Sequence, residues 1–262
     1  MNTYISRMRI RIMLAFLLGT MISASAQEIT TVADSTTNKS SKKNIRTDKP
    51  LTYIIPAAMI TYGLVALKSK PLVQLDQNIK QAIWDNNPHK KTNIEDYTGF
   101  VPIVAVYTLN IAGVKGTHNL LDRSILLVLS YALAGAVVTP VKRFTNKLRP
   151  DGSNRLSFPS GHTSQAFVSA EFLRMEYKHI SPWYGIAGYT VAALTGYLRM
   201  YNNKHWFSDI VAGAGVGILS VQATYWVYPK LKKLFIKKKE TAFIILPYYQ
   251  QQTAGVVCIY QL

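Results

Sequence analysis

Long apolar stretches separated by short polar connections dominate the chain from Leu51 onward. Each stretch comes close to the roughly 20 residues that an α-helix needs to cross the hydrocarbon core of a bilayer. Tyrosines and tryptophans flank several of them, as expected for an aromatic belt at a membrane interface. The pattern predicts an all-α membrane bundle of about six apolar helices. The stretches cover residues 51–67, 97–114, 120–141, 158–177, 183–200 and 206–228.

Some positions depart from a purely apolar pattern. Glu171 and Arg174 lie within stretch 158–177, and such charges are tolerated only in the interior of a bundle or at an interface. Between the first two stretches, apolar residues recur at helical spacing from Leu72 to Ile83, beside the polar Asp76. This second pattern predicts an amphipathic helix that lies on the membrane plane.

The two ends of the chain differ from its centre. Residues 1–26 have a basic start, an apolar run and a small-residue cleavage site, which predicts a signal peptide, with an uncleaved N-terminal anchor as the alternative. Residues 27–50 are rich in Ser, Thr, Asn and Lys and predict a disordered linker. The main domain is then 51–228. Residues 229–262 form a basic stop and a tail, in which 241–249 and 256–260 predict a short β-hairpin.

The charge is strongly basic. The chain has 30 Lys and Arg against 13 acidic residues, a formal net charge of +17. Its basic groups at 42–49, 142–149 and 230–239 adjoin apolar stretches, where each cation attracts anionic lipid by about 1 kcal/mol. We therefore expect membrane lipids as partners, and not nucleic acid, for which the sequence has no motif. With Cys258 as its only cysteine, the chain has no disulfide framework and no cysteine zinc site.

Three clusters of polar residues lie where the apolar stretches begin or end. If every stretch spans the membrane, two crossings separate the connections that hold them, so all three open on one face. Together they offer two imidazoles, one carboxylate and three fixed cations, which suits phosphate-ester chemistry. We name them the basic cluster (Lys142, Arg149 and Pro150), the Ser-Gly-His cluster (Pro159, Ser160, Gly161 and His162) and the His-Asp cluster (Arg199, His205 and Asp209).

Each cluster predicts a chemical task and also fits a plain structural role. His205 and Asp209, four residues apart, share one face of a helix, where the carboxylate fixes the tautomer of an imidazole that acts as nucleophile or base. Ser160 is a natural N-cap, and free amides at a helix start attract phosphate. The structural alternatives are a helix cap with an incidental histidine, and a juxtamembrane anchor formed by Lys142 and Arg149.

Taken together in this order and spacing, the clusters resemble the signature of the type 2 phosphatidic acid phosphatase (PAP2) superfamily. The similarity extends over residues 51–228. Segments 149–163 and 198–213 further resemble membrane-bound PAP2 proteins of Bacteroides-type bacteria, some of which remove phosphate from lipid A. One departure is Leu198, which stands where the family often has Ser. The resemblance implies a PAP2-like membrane helical bundle and a metal-independent phosphatase without a cofactor.

The resemblance also implies a role for each residue. His205 would attack phosphorus to form a phosphohistidine, with Asp209 orienting the ring, and His162 would protonate the leaving oxygen and later activate water. The residues that would hold the phosphoryl oxygens are Lys142, Arg149, Ser160, Gly161 and Arg199. The remaining histidines, His89, His118 and His179, lie in polar connections and are predicted to be surface residues.

The sequence thus predicts a membrane lipid phosphatase that acts on a phosphomonoester or diphosphate: lipid A, undecaprenyl diphosphate or a glycerophospholipid phosphate. The basic run 230–239 favours a cytoplasmic C-terminus, and hence a site that faces the periplasm from the bacterial inner membrane. A cleaved signal followed by six crossings gives the opposite orientation, a conflict that disappears if 51–67 does not span. The alternatives are a soluble periplasmic acid phosphatase, a lipid phosphotransferase, a vanadium haloperoxidase and a non-catalytic lipid-binding membrane scaffold.

Overall fold

The computed structural model describes residues 51–235, 243–250 and 253–260. The predicted signal or anchor (1–26) and linker (27–50) lie outside this part of the chain. Its helices are α1 (Leu51–Ala66), α2 (Lys70–Lys80), α3 (Glu95–Thr98), α4 (Val101–Ile111), α5 (Leu120–Thr145), α6 (Gly161–Tyr177), α7 (Trp183–Tyr201) and α8 (Phe207–Phe235), with a π-helical turn at Gln81–Asp85. Strands β1 (Phe243–Gln250) and β2 (Thr253–Tyr260) pair antiparallel, from Phe243 opposite Tyr260 to Gln250 opposite Thr253.

Helix α6 is the centre of the bundle. It packs against α4, α5, α7 and α8, while α1 packs along α8. Glu171 lies in the interior, as the sequence predicted: it is fully buried and accepts hydrogen bonds from the partly exposed Arg174 at 2.6 Å. Tyr189 of α7 and Gln222 of α8 also donate to this carboxylate. A buried charge is tolerable only when its hydrogen bonds are satisfied, and here the bonds also join three helices.

Fewer helices could cross a membrane than the sequence pattern predicted. By length and composition, two helices of the described residues qualify, at Leu120–Thr145 and Phe207–Lys233. A third span is possible if α1 and the segment that follows it, bent by 94°, count as one. Helix α4 has only 11 residues, and α7 carries four tyrosines and an arginine, which lower its hydropathy. Most residues of α6 are buried, so its apolar character serves mainly packing between helices. In α7, by contrast, Trp183, Ile186 and Leu194 are exposed.

The end of the bundle opposite the three clusters holds a buried ion pair. Arg123 at the start of α5 donates from Nε to Glu176 at the end of α6, at 3.1 Å. The same carboxylate lies 2.7 Å from His118 Nδ1 and accepts from the Tyr225 hydroxyl at 2.7 Å. The prediction that His118 is a plain surface residue is therefore wrong. It is also wrong for His89, which stacks on Tyr201 with 3.7 Å between ring centroids.

Candidate active site

The three clusters meet at one end of the bundle, where α5 and α7 end and α6 and α8 begin. A backbone hydrogen bond joins two of them directly: Ser160 N–H donates to the Asp209 carbonyl at 3.0 Å. Lys142 connects the third, because a Cβ placed on Gly161 would lie 3.7 Å from Lys142 Cε. Residues up to 67 positions apart in sequence are thus brought to one place by the antiparallel order of the helices.

His205, two residues before α8, and Asp209, in its first turn, form a buried pair. His205 Nδ1 lies 3.6 Å from Asp209 Oδ2, at the edge of hydrogen-bonding distance, and both side chains are almost completely shielded from solvent. Burial lowers the pKa of the His205 imidazole to about 4, and the Asp209 carboxylate, which favours the protonated ring, offsets this only in part. The ring is therefore neutral at pH 7, the form in which a ring nitrogen has a lone pair to donate.

The Asp209 carboxylate is held from several sides. Oδ2 accepts hydrogen bonds from Ser157 Oγ at 2.5 Å and from Trp206 N at 3.0 Å. Oδ1 accepts from Lys147 Nζ at 2.9 Å. Sequence reasoning missed Lys147 and Ser157 as parts of the site. The sequence contains only one clue to Lys147: it is one of the six residues between Lys142 and Arg149 of the basic cluster.

Ser160 caps α6, as predicted. Its Oγ accepts a hydrogen bond from Thr163 N at 3.4 Å, and its backbone is extended, as an N-cap residue requires. The start of α6 lies very close to α8, because a Cβ on Gly213 would approach the Ser160 carbonyl oxygen to 2.5 Å. The absence of a side chain at Gly213 therefore permits this close packing of α6 against α8.

The cations of the clusters differ in their partners. Lys142 Nζ donates to the Leu156 carbonyl at 2.7 Å and so braces the loop between α5 and α6. Arg199 NH1 donates to Glu95 at 3.2 Å, a buried ion pair. Within the described residues, Arg149 Nε, Arg199 Nε and His205 Nδ1 are all buried without a hydrogen-bond partner. Buried polar groups rarely remain unpaired, so two guanidinium N–H donors here are available to an anion.

Segment 92–98 adds two carboxylates that the sequence did not indicate. Glu95 is 5% exposed and also accepts from Asn202 Nδ2, while Thr98 hydrogen-bonds Thr195 at 2.8 Å, which docks α3 onto α7. Asp96 Oδ1 lies 3.2 Å from His162 Nε2, and both side chains are about half exposed. The second imidazole thus lies at the rim of the site, and the first lies in its interior.

Metal ligands do not gather in the part of the chain that the structure describes. There, no three residues among His, Cys, Asp and Glu are arranged to hold a metal ion. Positive charge at the site comes from Lys142, Arg149 and Arg199, while Lys147 is paired with Asp209.

Comparison with known proteins gives consistent matches. The PAP2 superfamily model matches residues 123–233. The lipid A 1-phosphatase of Porphyromonas gingivalis is 35% identical over 190 residues, which cover 72% of this chain and 40% of that protein. The bacitracin transport permease protein BcrC of Bacillus licheniformis is 35% identical over 75 residues, 29% of this chain and 35% of that one. This chain thus spans less than half the length of either relative.

A solved structure is also similar. The transmembrane PAP2 type phosphatidylglycerolphosphate phosphatase of Bacillus subtilis aligns with a TM-score of 0.47 and 19% identity, over 68% of this chain and 98% of that one. The family match covers all three clusters, from Lys142 to Asp209. The chain thus contains a match to the PAP2 superfamily over residues 123–233.

Proposed function

We propose that this protein is a membrane lipid phosphatase that hydrolyses a phosphomonoester or diphosphate of a lipid through a phosphohistidine intermediate. The observation that carries the proposal is the convergence of unpaired, buried Arg149 Nε and Arg199 Nε on a site that also holds a neutral imidazole. The 35% identical relative named as a lipid A 1-phosphatase supports the same reaction class. Lipid A, undecaprenyl diphosphate and glycerophospholipid phosphates all present the required group.

In the first step, His205 is the nucleophile. Nδ1 faces Asp209, so the lone pair of Nε2 attacks phosphorus. The bond between phosphorus and the lipid oxygen breaks, and that oxygen takes a proton from His162. Asp209 stabilises the positive charge that develops on the ring of His205.

In the second step, water replaces the histidine. His162, now neutral, accepts a proton from the attacking water, and the bond between phosphorus and nitrogen breaks. Inorganic phosphate leaves and His205 is restored. His162 sits at the rim of the site beside Asp96, where it can serve both as acid and as base.

The phosphoryl oxygens require a cradle of donors throughout. We assign this role to the cations of the clusters and to the amides at the start of α6, where the helix dipole favours an anion. Such prearranged donors stabilise the charge that builds on the oxygens in the transition state. The residues of the cradle are Lys142, Arg149, Ser160, Gly161 and Arg199.

Placement in the membrane follows from the exposed apolar helices. Only 22% of the apolar 18-residue segment of α5 is buried inside the protein, so the remaining surface of this helix suits contact with lipid. We propose that residues 51–228 form the phosphatase domain in the bacterial inner membrane, with the clusters at its periplasmic face. The basic run 230–239 would then remain in the cytoplasm.

The test is phosphate release by the purified full-length chain in detergent. The substrates are lipid A, undecaprenyl diphosphate, phosphatidylglycerol phosphate and phosphatidic acid. We expect release from at least one, loss of release in His205→Gln, and wild-type release in the matched control His179→Gln, since His179 is exposed and remote from the clusters. Because the site supplies its own cations, release should persist in excess chelator.

Three outcomes would contradict the proposal. Unchanged release by His205→Gln would remove the nucleophile. Extraction of the protein from membranes by a carbonate wash would favour a soluble phosphatase. Release from none of the four lipids would favour a scaffold.

A further inference from the structure

Asp76 is a buried carboxylate that the mechanism above does not use. It lies on α2, outside the segment that matches the family, and is 3% exposed. Its Oδ1 accepts a hydrogen bond from Ser208 N at 2.9 Å, and its Oδ2 accepts from Ser208 Oγ at 2.5 Å. Burying a carboxylate carries a large cost unless it is paired. Its pairing partner is a lysine of the loop between α5 and α6.

That lysine is Lys147, whose ammonium group reaches both carboxylates. Nζ lies 3.4 Å from Asp76 Oδ2, 2.9 Å from Ser208 Oγ and 2.9 Å from Asp209 Oδ1. It is also 5.8 Å from the ring centroid of Trp206. The three protons of the ammonium group therefore have three acceptors. The result is a continuous chain of contacts from α2 through Lys147 to the partner of the nucleophile.

We propose that Lys147, anchored by Asp76 and Ser208, is a positioning residue that acts on His205 through Asp209. This inference rests on the proposed function. Lys147 binds Oδ1, while Ser157 and Trp206 bind Oδ2, so both oxygens of the carboxylate have fixed directions. The second effect of Lys147 is electrostatic, since its charge offsets that of the carboxylate.

The sign of the electrostatic effect can be worked out from the charges that face His205. The carboxylate of Asp209 on α8 favours the imidazolium, whereas Lys142 on α5 and Arg199 on α7 oppose it. An imidazolium has no lone pair with which to attack phosphorus. By offsetting the Asp209 charge, Lys147 favours the neutral ring, so its removal should raise the pH below which activity is lost.

The experiment compares Lys147→Met with Lys147→Arg in the full-length chain. The substrate is whichever of the four lipid phosphates the wild-type protein hydrolyses fastest. In Lys147→Met, the charge of Asp209 is no longer offset by the ammonium group 2.9 Å away, so it favours the imidazolium of His205 more strongly. We therefore expect the acidic limb of the plot of kcat/KM against pH to move up by about one unit, the low end of the 1–3 units by which a nearby charge shifts a pKa. Lys147 has no place in the phosphate cradle, so kcat should fall by about tenfold to a hundredfold while KM changes little.

Two variants separate positioning from folding. Lys147→Arg retains the cation and should keep the limb at its wild-type pH. Lys147→Met leaves the buried Asp76 carboxylate without its cation, which could prevent folding. The double variant Asp76→Asn with Lys147→Met removes that unpaired charge and should show the same upward shift of the acidic limb. Lys91→Met is the matched control, since this half-exposed lysine lies 3.6 Å from Asp151, and its pH profile should match the wild type.

The outcomes distinguish this inference from the proposed function. A wild-type protein that releases no phosphate would overturn both. Suppose that the wild-type protein is active and His205→Gln is inactive. An acidic limb that does not shift in Lys147→Met, or in the double variant, would then overturn the inference alone. Equal losses of kcat in Lys147→Met and Lys147→Arg, without movement of the limb, would mean that Lys147 only supports the fold.

Discussion

A single methyl group at Gly213 should test whether the packing of α6 against α8 sets the geometry of the site. A Cβ at this position would lie 2.5 Å from the Ser160 carbonyl oxygen, whereas ordinary contacts begin near 3.4 Å. The neighbouring atom belongs to the backbone and has no rotamer to change. In Gly213→Ala, the start of α6 must therefore move away from α8 by about 1 Å, because packed interiors have no free space to absorb the group.

The expected loss has two parts. Overpacking of this kind costs about 1–3 kcal/mol of the free energy of unfolding. The same displacement lengthens the 3.0 Å hydrogen bond from Ser160 N–H to the Asp209 carbonyl and separates the Ser-Gly-His cluster from His205. A misplacement of about 1 Å at a reacting centre can reduce the rate by about a hundredfold. We therefore expect kcat/KM to fall by about 10- to 100-fold.

The assay combines thermal unfolding in detergent with phosphate release from the preferred lipid. Gly135→Ala is the matched control, because Gly135 on α5 has nothing within 4 Å of the added Cβ. Its unfolding free energy should equal that of the wild type or exceed it by up to about 1 kcal/mol, because Ala favours a helix interior over Gly, and kcat/KM should be unchanged. Wild-type stability and rate in Gly213→Ala would refute the argument, and equal damage in both variants would show that location does not matter.

Three further predictions concern buried charges. Glu95→Gln should cost about 3 kcal/mol of unfolding free energy, because it leaves the buried Arg199 guanidinium without a counter-charge; chemical denaturation would measure this, and a change below 0.5 kcal/mol would refute it. Burial holds the pKa of His205 at about 4, against about 6.5 when unfolded. Between these two pH values only the unfolded chain binds the proton, so the free energy of unfolding should fall by up to about 3 kcal/mol as the pH drops through this window. Denaturation at pH 7 and at pH 5 should show a smaller fall for His205→Gln than for the wild type. Equal falls in the two proteins would contradict the prediction. Glu176→Gln should destabilise the protein by about 3–5 kcal/mol by unpairing Arg123, yet leave kcat unchanged because this pair lies at the opposite end of the bundle; a selective loss of kcat would contradict that.

Much of the site's composition could be predicted from the sequence because its residues lie at the ends of apolar stretches. Helix ends are where backbone groups and polar side chains can face a ligand, and the hydrophobic pattern marks those ends. The spacing of His205 and Asp209 predicted a shared helix face; the structure places His205 two residues before α8, yet within 3.6 Å of Asp209. The N-cap at Ser160 and the interior position of Glu171 were predictable for the same reason: each follows from local chemistry.

Which helices face lipid could not be predicted from the sequence. Apolar residues look alike whether they contact lipid or another helix, so α6 had the pattern of a span although most of it is buried among its neighbours. The polar residues that support the site were equally hidden. Asp76 appeared to belong to the polar side of an amphipathic helix, and Glu95 and Asp96 had no recognisable spacing to any cluster.

The sequence by itself determined the chemistry that is available: two imidazoles, a carboxylate and a set of cations at helix ends. The tertiary structure decided which charges pair, and therefore which remain available to a ligand. Glu95 pairs with Arg199, and Lys147 pairs with Asp209 and Asp76, across separations of up to 104 and 71 residues. Pairing depends on distance and on the exclusion of water, and both arise only when the helices pack.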